Sequence, residues 1–206
     1  MKRKFFVGGL AVLFFLAVLF LLSAFFVKKN NRLEVDISDI VSLQNNPFLS
    51  ESVNDILVWQ EKIDLNPENI EYYLGLGLAW KSLADRVTST AQTDYYNKAI
   101  SVYRIGAEKT NYQNTSFLIN IGHVAMENKQ FELSEEYFLK ALAVTPGDQE
   151  IYIRLAELYE YHLKKNPNEI LLLIDTGIKT AVVSNRLQTY KKNLLERHPD
   201  LQTVSE

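Results

Sequence analysis

Leu118-Ile119-Asn120-Ile121-Gly122-His123-Val124-Ala125, then Ser134-Glu135-Glu136-Tyr137-Phe138-Leu139-Lys140-Ala141, then Pro146: this run decides the fold. Leu118, Ile121 and Ala125 fall at spacings of three and four, as do Ser134, Phe138 and Ala141. Each part therefore presents one apolar helix face. The arrangement returns downstream as Tyr152-x-x-Leu155-Ala156-x-x-Tyr159, and upstream as Tyr73-x-x-Leu76-Gly77-x-x-Trp80 followed by Ala99-x-x-x-Tyr103-x-x-Gly106. The offset from Gly122 to Ala156 is 34 residues and the step from Gly122 to Pro146 is 24. A fixed period of this size marks stacked helix pairs. The physical need is close packing. A Gly or Ala in the first helix lets the second approach, and large side chains fill the gaps between neighbouring pairs.

These motifs resemble the tetratricopeptide repeat (TPR). The resemblance covers about residues 52–197 and implies an all-α, antiparallel helix-pair solenoid of about three repeats. Departures are visible. The first full repeat carries an insertion of about ten residues between its helices, with Thr88 to Thr93 read as a loop, and Asn111 stands at its proline position. The third repeat has lost the signature in its second helix, where Gly177 sits at the small position. Upstream, Ile56, Trp59 and Ile63 give one apolar face that stops at Asn66-Pro67, like the second half of a degenerate repeat. Downstream, Asn185 to Arg197 reads as the polar capping helix that such stacks need.

The N-terminus is of another kind. After a basic head at residues 1–4, Phe5 to Val27 are 23 consecutive positions without a charge and hold seven of the eleven phenylalanines. A helix of that length spans roughly 35 Å, against a hydrocarbon core of about 30 Å. The run exceeds a signal-peptide core, and Leu22 stands where cleavage after Ala24 would need a small residue. We therefore expect one uncleaved transmembrane helix at 5–27, a linker at 28–51, the repeat domain at 52–197 and a tail at 198–206. Lys2, Arg3 and Lys4 precede the run and Lys28, Lys29 and Arg32 follow it. With the N-terminal amine this leans toward a cytoplasmic N-terminus and a C-terminal domain outside, as in a bacterial inner membrane.

From Leu33 onward there are 16 basic and 25 acidic residues, a net charge of −9. Such a surface argues against nucleic acid and against lying flat on anionic lipid. The chain has no cysteine, so disulfides and thiolate sites are excluded.

No catalytic or metal constellation emerges. The histidines are His123, His162 and His198, and no two share a helix at ligand spacing. His123 and Glu127 lie on one helix face and read as a surface pair; Glu157 and Glu160, and Glu132 and Glu136, read as solvated faces. Glycine-rich phosphate loops and nucleophile elbows are missing from the sequence. Neither an enzyme nor a cofactor is expected. Asn114-Thr115-Ser116 matches a glycosylation sequon, a triplet common by chance.

The resemblance implies that the first helix of each pair lines a concave groove for a protein or peptide partner. The first repeat would contribute Glu71, Leu74, Leu78 and Lys81. The second would contribute Ser116, Ile119, Asn120, His123, Met126 and Glu127. Glu150, Ile153, Arg154, Glu157, Glu160 and Tyr161 would come from the third. Leu74, Leu78, Ile119, Met126, Ile153 and Tyr161 form an apolar stripe, open to a partner peptide or covered by Leu33 to Leu49 or the C-terminal helix. Five glutamates against one Lys and one Arg favour a partner with apolar anchors and some positive charge. A clamp for acidic chaperone C-termini is not expected. Asn120 and Arg154 fit that pattern, but Leu74, Leu78 and Glu150 occupy its other places. Three functions follow: a membrane-tethered interaction scaffold, for instance an assembly factor for an envelope complex; a structural subunit of a pilus, secretion or cytochrome-maturation machine; or an accessory to an enzyme on another chain.

Overall fold

The computed structural model describes residues 37–88 and 90–201. The expected transmembrane run at 5–27, the basic head, the first part of the linker and the last five residues lie outside them. Among the described residues no helix is long and apolar enough to cross a membrane.

The described chain is helical throughout. α1 (Ser38–Val41) runs into a 3-10 turn (Ser42–Asn45). α2 (Ser50–Leu65), α3 (Ile70–Arg86), α4 (Ala91–Lys109), α5 (Thr115–Glu127) and α6 (Phe131–Val144) follow. α7 (Gln149–Glu157) passes into one π-helical turn (Leu158–His162), and α8 (Pro167–Thr180) and α9 (Asn185–Arg197) complete the domain. Sequential helices pack against each other, giving the pairs α3/α4, α5/α6 and α7/α8; α2 packs on α3, and α9 on both α8 and α7.

Local chemistry sets the helix starts. Asn69, Asn114, Asp148 and Asn166 each accept a hydrogen bond from the backbone N–H two residues on, capping α3, α5, α7 and α8. The sequon residue Asn114 is thus a cap. Two tyrosines, Tyr73 and Tyr152, donate to the carbonyls of Pro67 and Pro146 at 2.9 and 3.2 Å, tying the turn before each pair to its first helix. The chain leaves α5 through Lys129, two residues past its end and held at φ 59°. The Lys129 and Gln130 N–H groups bond back to Met126 and Ala125 at 3.0 and 2.8 Å, a Schellman closure.

The core runs along the pair interfaces through Trp80, Tyr103, Phe117, Leu118, Phe138 and Leu155, all nearly or fully buried. Gly77 admits the ring of Tyr103, and Gly177 that of Tyr152. Two elements differ from the sequence reading. The insertion in the first repeat is not a loop from Thr88 to Thr93: α4 begins at Ala91. α3 has 17 residues against 13 in α5, and α4 has 19 against 14 in α6, so the extra chain lengthens both helices. The added turns pack on each other. Trp80 and Tyr95 have ring centroids 5.8 Å apart, Tyr96 donates to Asp85 at 2.8 Å, and Gln92 donates to the Ala84 carbonyl at 3.1 Å. Polar, threonine-rich chain reads as loop when only its outward face is considered; Tyr95 and Tyr96 supply the buried face. Ile40 and Leu49, in the stretch read as linker, are also buried.

Candidate functional site

α3, α5 and α7 are the first helices of the three pairs, and their charges act mostly on one another. Lys81 on α3 pairs with Asp85 at 2.7 Å and crosses to Glu127 on α5 at 3.0 Å. Burial opposes the Lys81 charge, but these two carboxylates outweigh it and hold its pKa above the ordinary value. On α7, Arg154 pairs with Glu150 at 2.7 Å and Glu157 at 2.9 Å. Glu150 also meets Arg186 of α9. Glu160 is not a solvated residue: its side chain is 10 % exposed, and it accepts from Tyr190 at 2.6 Å and pairs with Arg197 at 2.8 Å.

His123 and Glu127 do not form the surface pair read from their spacing. Glu127 reaches across to Lys81. His123 stands edge-on to Phe138, with ring centroids 5.3 Å apart. Burial, and after it the nearby Arg154 charge, push its pKa down to about 4. The imidazole is therefore neutral near pH 7.

The remaining residues of the expected groove divide into three groups. Leu78 and Tyr161 are exposed, at 60 % and 52 %. Leu74, Ile119, Met126 and Asn120 are half-buried, while Glu71 and Ser116 are exposed. Ile153 is 4 % exposed, enclosed with Leu187 and Leu194 of α9. The π-helical turn contains Glu160 and Tyr161, the first engaged by α9 and the second open.

Two polar groups on this face are unspent. The Asn120 amide makes no hydrogen bond to a described residue, and Arg154 Nε is buried without a partner. The Arg154 charge on α7 lies close enough to His123 on α5 to help depress its pKa. No ion pair is seen between α5 and α7 among the described residues, whereas α3 is bridged to α5 and α7 to α9. Sequence reasoning missed the partners that absorb the groove charges: Asp85, in the added turn of α3, and Arg186 and Arg197, on the capping helix. The charge-rich composition of α9 was the available signal.

No family model matches the sequence, and no curated protein matches it. Among solved structures the chain is similar to a thermophilic TPR protein of Thermus thermophilus, with 20 % identity, a TM-score of 0.56 and 78 % of each chain covered. That likeness supports a TPR-like fold. The MamA protein aligns over 82 % of this chain and 96 % of its own at 14 % identity, with a TM-score of 0.38 that adds nothing to the argument.

Proposed function

We propose that the chain is a non-catalytic, membrane-tethered scaffold that holds an extended segment of a partner protein against the α3–α5–α7 face. The observation that carries this reading is the unused hydrogen-bonding capacity of two first-helix side chains, the Asn120 amide on α5 and Arg154 Nε on α7. Leu78 on α3 and Tyr161 in the π-helical turn expose apolar surface. A peptide backbone offers both donors and acceptors to such groups. Because Lys81 and Arg154 are already paired, the partner need not be strongly charged; apolar anchors matter more than a basic patch. The tether is the run from Phe5 to Val27, with the repeat domain outside the cytoplasmic face of a bacterial inner membrane. An envelope assembly factor would have this form.

The test is purification of the full chain in mild detergent, with identification of the proteins that accompany it. The Asn120→Ala/Arg154→Ala double variant, confirmed helical by circular dichroism, should lose a specific subset of them. Retention of every partner by a folded double variant would remove Asn120 and Arg154 from the working surface.

A further inference from the structure

Phe48 is 81 % exposed, whereas Leu49 beside it is buried. Both belong to the turn Asn46-Pro47-Phe48-Leu49, which joins the 3-10 turn to α2. The backbone of this turn is pinned. The Leu49 and Ser50 N–H groups donate to the Asn46 carbonyl at 3.0 and 2.8 Å. The Phe48 N–H donates to Asn46 Oδ1 at 3.0 Å, and Arg86 at the end of α3 donates to the Phe48 carbonyl at 3.2 Å. Arg86 in turn pairs with Glu51 at 3.0 Å. With Ile40 and Leu49 buried on either side, the stretch is fastened to the domain and the Phe48 ring is held outside it.

Single exposed apolar side chains are ordinary, but Phe48 differs in three respects. Its backbone N–H and carbonyl are already bonded within the protein, so removing the residue from water strands no donor or acceptor. No Asp, Glu, Lys or Arg occurs from Ile40 to Ser50, although the chain from Leu33 onward carries a net charge of −9. The stretch also follows closely on the uncharged run that ends at Val27. The ten steps from Val27 to Ile37 reach at most roughly 35 Å. Within the same stretch Val41 is also exposed.

We propose that the Asn46–Leu49 turn is a membrane-contact tip, with the Phe48 ring seated in the headgroup layer of the bilayer. The proposal rests on the reading of Phe5 to Val27 as the anchor, since the short connection to that run is what keeps lipid within reach of the turn. An aromatic ring on a charge-free, internally bonded turn suits the interface, where its apolar body gains and its backbone loses nothing. The acidic remainder of the domain opposes lying flat on anionic lipid, so the contact is confined to the tip. A second point of attachment beside the tether limits the directions in which the α3–α5–α7 face is presented to a partner.

The chain has no cysteine, so a single introduced thiol can carry a fluorophore. Asn45→Cys, exposed beside the turn, is the reporter, and Leu172→Cys, exposed on α8, is the reference. The full chain is reconstituted into phosphatidylcholine vesicles with or without lipid bearing a nitroxide near the headgroup, and flotation checks its attachment. The reporter should lose most of its emission to the nitroxide lipid, while the reference keeps its own. Adding Phe48→Asp should restore the reporter's emission in a protein that still floats. Equal quenching at the two sites, or quenching at neither, overturns the proposal. So does quenching that Phe48→Asp leaves unchanged, because the tether alone would then bring the turn to the surface. A chain that fails to float refutes the anchor and the tip together; a floating chain with an unquenched reporter refutes the tip alone.

Discussion

A β-carbon placed on Gly122 would stand 2.7 Å from Cδ1 of Phe138. Phe138 is fully buried, so its ring has no free space to retreat into. The glycine is the point at which α6 is allowed to approach α5. Beside it, Ser134 donates to the Gly122 carbonyl at 2.8 Å, fixing the same crossing with a buried hydrogen bond. Gly122→Leu should destabilise the domain by about 1–3 kcal/mol or more, the range for overpacking a filled core. Gly147 is the control. A β-carbon there meets Val182 Cγ2 at an ordinary 3.4 Å, and Gly147→Ala should be nearly neutral. Equal melting temperatures for Gly122→Leu and wild type would contradict the assigned packing.

The neutral state of His123 predicts an acid sensitivity. The unfolded imidazole takes up a proton below about pH 6.5, while the folded one does so only near pH 4. Stability from this group is full above the first value and is lost as pH falls to the second. The total is on the order of 3 kcal/mol. Other groups change charge as the medium becomes acidic, so the informative quantity is the difference between wild type and His123→Leu. Urea midpoints should converge as pH drops from 7 to 4, wild type falling the more steeply. Parallel curves would mean that His123 is not held neutral by its surroundings.

How much of this was legible in the sequence depends on which contacts are local. The small residues at Gly77, Gly122, Ala156 and Gly177 announce helix crossings, because a side chain's absence is a property of one position. The alternation of first and second helices then follows from spacing. The extension of α3 and α4 was not legible in the same way. Thr88, Thr90 and Thr93 suggest a loop, and only the packing of Tyr95 on Trp80 and the Tyr96–Asp85 bond show that helix resumes at Ala91. The charges of the expected groove residues were legible, but their partners were not. Arg186 and Arg197 come from 32 and 43 residues beyond Arg154 in the chain, and no spacing rule foretells that they engage Glu150 and Glu160.

Lys129 offers a test of backbone strain. Its φ of 59° places a side chain with a β-carbon in the left-handed region, where glycine is favoured. Lys129→Gly should raise stability or leave it unchanged, while Lys129→Val should cost roughly 1–2 kcal/mol, since a β-branched residue resists this conformation. A stabilising Lys129→Val in thermal unfolding would show that the Schellman closure is not what ends α5.

The tether is tested by a single charge. Leu13 lies near the middle of the uncharged run from Phe5 to Val27. Arginine at the centre of a spanning helix costs roughly 2.5–3.5 kcal/mol on insertion scales. Leu13→Arg should shift the chain out of the alkali-resistant membrane fraction. A wild-type protein found in the soluble fraction with a mature N-terminus near Phe25 would replace the anchor by a cleaved leader.

Leu78 separates binding from folding. It is on α3, between the buried residues Leu76 and Ala79, yet is itself 60 % exposed. A surface position of this kind normally changes stability by no more than about 0.5 kcal/mol. Leu76→Asp, by contrast, would place a charge in the core and unfold the first repeat. Leu78→Asp should therefore melt like wild type while losing capture of the partner, because an apolar anchor cannot settle over a carboxylate. Lys81→Met provides the opposite comparison. Lys81 is occupied by Asp85 and Glu127, so its loss should weaken the α3–α5 contact more than it alters partner affinity at a temperature where the variant remains folded. If Leu78→Asp retains full capture and Lys81→Met abolishes it, the partner is held by charge rather than by the apolar stripe, and the balance argued for this face is reversed.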